Sequence, residues 1–281
     1  MDLLLEQENI SCRLTDLGVY NIVVSDGSPV IEVAKRDVKG RHGFIHDGVR
    51  FSHKSIKVTG RLMVSSIREF HRKRDELNGL LFTDRPFYIT KLVPLVDSLY
   101  QFELPGQRTG DFPTSQTSSN RPWHYRYLVL MDSEIEFSFI GRSTAGLKYD
   151  VRLSFVTAES PFGETAAKTQ SLSGGVFPYK GTAEASQLET PFVVELVATG
   201  GQTHFYLEID GRRWTYEHGV TNQAGDKYLI SALGTTLNGN SVTARTNYNY
   251  FVIRPNQLQE IPYRTDFRGS IRLLDFKEFY R

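Results

Sequence analysis

Apolar residues recur mostly at every second position along this chain. Tyr20–Val24, Lys54–Val64, Phe87–Leu92 and Leu99–Leu104 alternate in this way and predict strands, with Ile56, Val58 and Leu62 on one parity of the second. One segment shifts to helical spacing. Ile67, Phe70, Leu77, Leu80 and Leu81 fall on a single stripe, with His71, Arg72, Lys73 and Asp75 outside it. Ser66-Ile67-Arg68-Glu69 opens the segment as a capping box, in which the serine hydroxyl and the glutamate each satisfy a free amide. Together these predict a helix over 66–82 whose stripe packs on a core. Asn78-Gly79 either ends it early or is tolerated inside it, and Thr83-Asp84-Arg85-Pro86 turns the chain into the next strand.

The stretch 105–122 is a polar loop of a length that compact domains usually keep for function or movement. Tyr125–Leu130, Glu134–Ile140 and Tyr149–Thr157 then read as strands, and Glu159–Gly163 with the small-residue stretch to Gly175 reads as a junction. Beyond it the pattern is almost wholly β. Phe192–Val197 is a strand, and Phe205–Ile209 and Arg212–Tyr216 flank Asp210-Gly211, a pair suited to the positive φ angles of a tight hairpin. Asn238-Gly239 offers a second such turn, with later strands at Tyr248–Ile253 and Ser270–Phe276. Six or more strands without a second helix imply a sandwich or jelly roll. The expected organisation is mainly β: residues 1–158 a β-sandwich carrying the helix, residues 159–281 a second β-sandwich.

At 281 residues, with 40% hydrophobic and 23% charged positions, the chain has the composition of a folded globular protein large enough for two domains. A lone cysteine, Cys12, excludes an internal disulfide and any zinc site built on several thiolates. No apolar run approaches a bilayer span, and Met1–Glu8 lacks the basic start of a signal peptide. The net charge of +1 argues against a dedicated nucleic-acid binder. That average hides an asymmetry: residues 1–34 hold one base against six acids, and residues 35–74 hold twelve bases against three acids. The opposed segments are candidates for steering head-to-tail association, for facing phosphates, or for a merely solvated basic face.

Motifs for chemistry are missing. There is no Walker loop, no G-x-G-x-x-G after a strand, no H-E-x-x-H and no G-x-S-x-G. His42, His46 and His53 lie close in sequence, but Gly40, Gly43 and Gly48 interrupt any helix that would align them on a metal. An enzyme is therefore the minority reading, and no cofactor is expected. Trp214 and Tyr216, near Tyr206 and Tyr228, are candidate glycan contacts, although alternating aromatics in a β domain more often fill its core.

The order of features carries a resemblance. Gly40-Arg41-His42-Gly43, Val49-Arg50-Phe51, Ile56-Lys57-Val58-Thr59-Gly60-Arg61-Leu62, the capped helix with Arg74-Asp75-Glu76-Leu77-Asn78-Gly79-Leu80, and the strands after it resemble the N-terminal half of the distal tail proteins (Dit) of long, non-contractile phage tails. Pro161-Phe162-Gly163 sits at that family's junction, and Phe251–Asn256 and Ile271–Tyr280 resemble its last strands; Pro255-Asn256-Gln257-Leu258 replaces its usual Pro-Gly-x-Asn turn. The resemblance implies a non-enzymatic hub at the tail tip, in the virion. Its N-domains would close into a hexameric ring, alone or as back-to-back rings, that joins the major tail protein to a tail-associated lysin or tail fibre. Galectin-like C-domains would hold receptor-binding proteins or touch host cell-wall saccharide. A ring needs two unlike patches of one subunit, and Arg50, Phe51, Lys54 and Lys57 are the candidate interface residues. The alternative reading is a carbohydrate-binding module for cell-wall glycans.

Overall fold

The computed structural model describes residues 1–8, 10–94, 120–217 and 220–281. The expected strand Leu99–Leu104 and most of the 105–122 loop lie outside the described residues. The chain forms two units, Met1–Gly163 and Glu164–Arg281.

The first unit holds β1 (Asp2–Gln7), β2 (Ile10–Arg13), β3 (Val19–Asp26), β4 (Ile31–Arg36), β5 (Ile45–Phe51), β6 (Ser55–Val64), α1 (Ile67–Leu81), β7 (Phe87–Pro94), β8 (Asn120–Pro122), β9 (Tyr127–Met131), β10 (Glu136–Ser143) and β11 (Gly146–Thr157). Its main sheet runs β2-β1-β7-β9-β11-β6-β3, with β10 added beside β11 and β8 beside β7. β6 shows how the sequence sets this up. Ile56, Val58, Leu62 and Val64 are buried, while Lys57, Thr59, Arg61 and Met63 between them face solvent. Gly60 fills the remaining inward position because a Cβ there would stand 2.6 Å from the Val19 side chain. The inward sets of β1, β3, β6, β7, β9 and β11 share one core with Leu77 and Leu81 of α1.

The helix begins one residue later than the capping residue, as N-caps require. The Ser66 hydroxyl accepts from Glu69 N–H at 3.2 Å. The returning Glu69 carboxylate reaches past the N-cap amide and takes the Ser65 N–H at 2.7 Å. Gly79 stays inside the helix. Ile67 departs from the expected stripe: it is 63% exposed at the first turn, before the helix meets the sheet. Ser66→Ala is expected to cost the first unit about 1 kcal/mol, read as a lower urea midpoint at unchanged slope.

The second unit pairs a six-stranded sheet, ordered Lys168–Leu172, Gly269–Phe276, Val193–Ala198, Lys227–Ser231, Gly234–Leu237, Asn240–Ser241, with a four-stranded one, ordered Val176–Pro178, Glu260–Thr265, Phe205–Ile209, Arg212–Tyr216. Rings from the two sheets meet between them: Phe205 lies 5.2 Å from Tyr228, and Phe177 lies 6.2 Å from Phe276. This is a two-sheet sandwich. Asp210-Gly211 makes its hairpin with φ of 49° and 76°, and Asn238-Gly239 makes a second with 47° and 87°. Of the expected strand Tyr248–Ile253 only Val252–Ile253 forms. The Asn247 and Asn249 amides both donate to the Arg213 carbonyl at 2.9 Å, and Tyr248 between them takes a positive φ of 56° that breaks the extended run. Among the described residues no helix is long and apolar enough to cross a membrane.

Candidate functional site

Among the described residues, β4 and β5 form a ribbon that joins no other sheet. Ile31 pairs with Phe51 and Val33 with Val49, so four apolar side chains share one face; Glu32 and Arg50 are paired on the other. All six residues of β4 are exposed, including Ile31 at 56% and Val33 at 39%, and Val49 across from them is 50% exposed. The opposite face satisfies itself, through Arg50 Nη2 to Glu32 Oε2 at 2.6 Å and Arg36 Nε to Asp47 Oδ2 at 3.4 Å. A bulge after Ala34 and a positive φ of 144° at Gly48 bend the ribbon before its glycine-containing end. A two-stranded ribbon is at best marginal in water.

The root of the ribbon is unusually polar. Asp26 closes the strand that leads in, and Lys54 follows the strand that leads out. Both reach the hydroxyl of Tyr127 on β9, which donates to Asp26 Oδ2 at 2.9 Å and accepts from Lys54 Nζ at 2.9 Å. Lys91 of β7 donates to the other Asp26 oxygen. Backbone bonds fasten the same place, with Val30 N–H to His53 O at 2.7 Å and Ser52 N–H to Val30 O at 3.0 Å. Burial pushes the Lys54 ammonium below its ordinary range, Asp26 opposes that and Lys91 adds to it. Burial alone would raise the Asp26 carboxyl, but the bonds from Lys91 and Tyr127 outweigh it and hold that group low. Burial raises the Tyr127 phenol, so it stays a neutral bridge.

The expected site residues fall in different places. Arg50 is tied to Glu32 within its own ribbon, so part of the opposed charge of segments 1–34 and 35–74 is cancelled inside one chain. Phe51 lies edge-on to Phe162 at 5.5 Å, which anchors one end of the apolar face. Lys54 is only 3% exposed and works at the root, out of reach of a partner. Lys57 is exposed on the outer side of β6, in a shallow groove with Glu134, Glu136 and Arg152. Trp214 and Tyr216 are 1% and 0% exposed, packed on Phe205 inside the sandwich, so neither ring offers a face to a sugar. His46 sits opposite Lys35 in the ribbon, and His53 Nδ1 lies 3.0 Å from Ser52 Oγ. Among the described residues no group of three or more His, Cys, Asp or Glu is arranged to hold a metal ion.

Ile31, Val33 and Val49 are what sequence reasoning passed over. The signal was an apolar alternation on each side of the glycines at 40, 43 and 48. Asp26 and Tyr127 left no local signal, since they stand 101 residues apart.

The sequence profile of the phage tail protein RIFT-related domain matches residues 13–155. The fold is similar to that of the Dit protein of phage SPP1, presented as a paradigm of the hub adsorption apparatus in phages infecting Gram-positive bacteria. That likeness has a TM-score of 0.60 at 15% identity and covers 98% of each chain. A chain of the phage p2 baseplate in its activated conformation aligns with a TM-score of 0.38 at 8% identity, over 99% of this chain and 97% of that one. No curated protein matches the sequence.

Proposed function

Since the chain belongs to the phage tail protein RIFT-related domain family, we propose that it is the structural hub of a phage tail tip, closing into a ring, most simply a hexamer, through unlike surfaces of neighbouring copies. The uncovered apolar face of the β4–β5 ribbon carries this reading. Closed rings need one patch to project from each subunit and a different patch to receive it, and a self-neutralised ribbon with Ile31, Val33 and Val49 bare is suited to the first role. The ring would join the tail tube to the lysin or fibre below it. The second unit, read as galectin-like, would present a platform for receptor-binding proteins. The work is scaffolding, and turnover of a substrate plays no part in it.

Native mass measurement and negative-stain imaging of the pure protein test the reading. A ring of several copies is expected, and Ile31→Ser/Val33→Ser/Val49→Ser should leave both units folded while shifting the population to single chains. Wild-type protein that stays single when concentrated, and that also fails to enter tails when the other tail proteins are supplied, would overturn it.

A further inference from the structure

We infer that the groove between α1 and β10 receives the β4–β5 ribbon of a second copy of this chain. The inference rests on the ring reading above and names the surface that ring requires. The groove is shallow and open to solvent, has a volume of about 510 Å³, and is lined by Arg74, Asn78 and Phe82 from the helix side and by Glu134, Ile135 and Phe137 from β10 and the turn before it. One of its lining rings, Phe137, belongs to an aromatic cluster: Phe70 meets it edge-on at 5.4 Å and stacks on Tyr149 at 4.1 Å. The lining Phe82 is 49% exposed, and further along β10 Phe139 and Ile140 are 59% and 50% exposed. β10 pairs only with β11, so its other edge is open among the described residues.

Charge selects the occupant. The turn from Asp132 to Glu136 carries three carboxylates and no base, and the ribbon's far end, 35–41, carries Lys35, Arg36, Lys39 and Arg41 against Asp37 alone. Arg36 is paired with Asp47, and Glu136 with Arg152 at 3.5 Å. Lys39, Arg41, Asp132 and Glu134 have no ionic partner among the described residues. An apolar ribbon with a basic end thus matches a groove that is half apolar, with Phe82, Ile135 and Phe137, and lies beside an acidic turn, and both belong to the same sequence. Docking one in the other on the next copy is a head-to-tail contact that a ring can repeat, with the charges setting register.

A charge swap tests the pairing. Lys39→Glu/Arg41→Glu and, separately, Asp132→Lys/Glu134→Lys should each lower the assembled fraction by about tenfold at low salt, and the four changes together should restore it. Single sets without effect, or a fourfold variant no better than either pair, would overturn the inference and leave the ring reading standing. A photoreactive benzoylphenylalanine at Phe82, in mixed isotopically light and heavy copies, identifies the occupant. The crosslink is read in rings, or in assembled tails if the pure chain stays single. Peptide 31–51 of the other isotope is expected. A crosslink confined to one isotope, or to residues 95–119 or the second unit, would overturn the inference. A wild-type chain single in both settings removes the ring reading, and this one with it.

Discussion

Asp26→Ala should lower the melting temperature of the first unit by roughly 6–12 °C and leave the second unit's transition in place. The substitution strands Lys54, 3% exposed, and Lys91 beside it without their shared carboxylate. Breaking a buried ion pair from one side costs roughly 3–5 kcal/mol. The side chains of Asp26 and Lys91 keep 20% and 17% exposure, which favours the lower end of that range. For a unit of this size, about 3 kcal/mol corresponds to the stated shift. Calorimetry resolves the two transitions. A shift under about 2 °C would mean that water already screens the cluster.

The same carboxylate sets an acid limb. Its folded pKa is lowered, so its stabilisation is fully present above the unfolded value near ~3.9 and is lost as pH falls through the folded one. Asp26→Asn should therefore flatten the first unit's loss of stability in acid. Lys54 acts in the opposite sense. Its folded pKa is also lowered, but for an ammonium this is a cost, complete below the folded pKa and relieved as pH rises towards the unfolded value near ~10.4.

Trp214→Ala is expected to destabilise the second unit by roughly 3–5 kcal/mol, the cost of a large aromatic removed from a packed core. The ring is 1% exposed and neighbours Phe205 at 5.9 Å in a cluster that continues through Tyr216 and Tyr228. Denaturant unfolding of that unit should show the loss in full. In a Trp123→Phe background, which removes the other indole, 41% exposed, tryptophan fluorescence gives the matching control, because the enclosed Trp214 indole should not respond to added cell-wall oligosaccharide. A saturable response to such a sugar would show that this face of the sandwich opens, and would revive the glycan-contact reading.

Much of the fold was legible because its signals are local. β6 could be read from alternation, α1 from one stripe and one capping serine, and the Asp210-Gly211 hairpin from its turn chemistry. The Tyr248 segment was misread because two asparagine amides override its strand propensity through a carbonyl more than thirty residues away. The proposed interface was only half legible. Basic residues at 50, 54 and 57 suggested a charged patch, yet in the fold one is neutralised by Glu32 and one is buried. What remains uncovered is apolar, and alternation alone does not reveal whether a strand's greasy side faces a core or nothing at all. The root cluster escaped notice because its members come from β3, β7, β9 and the residue just before β6, with no shared spacing.

That polar root also governs leverage. Strands of six or seven residues rise about 3.3 Å per residue, so the ribbon measures about 20 Å from stem to far end. Tilting the stem by about 10° would sweep that end through about 3.5 Å, further than the tolerance of a hydrogen bond. Apolar packing at the stem would tolerate such a tilt with little penalty. Directional bonds to one phenolic oxygen do not, and they hold the aim of the whole arm to the accuracy of its shortest links.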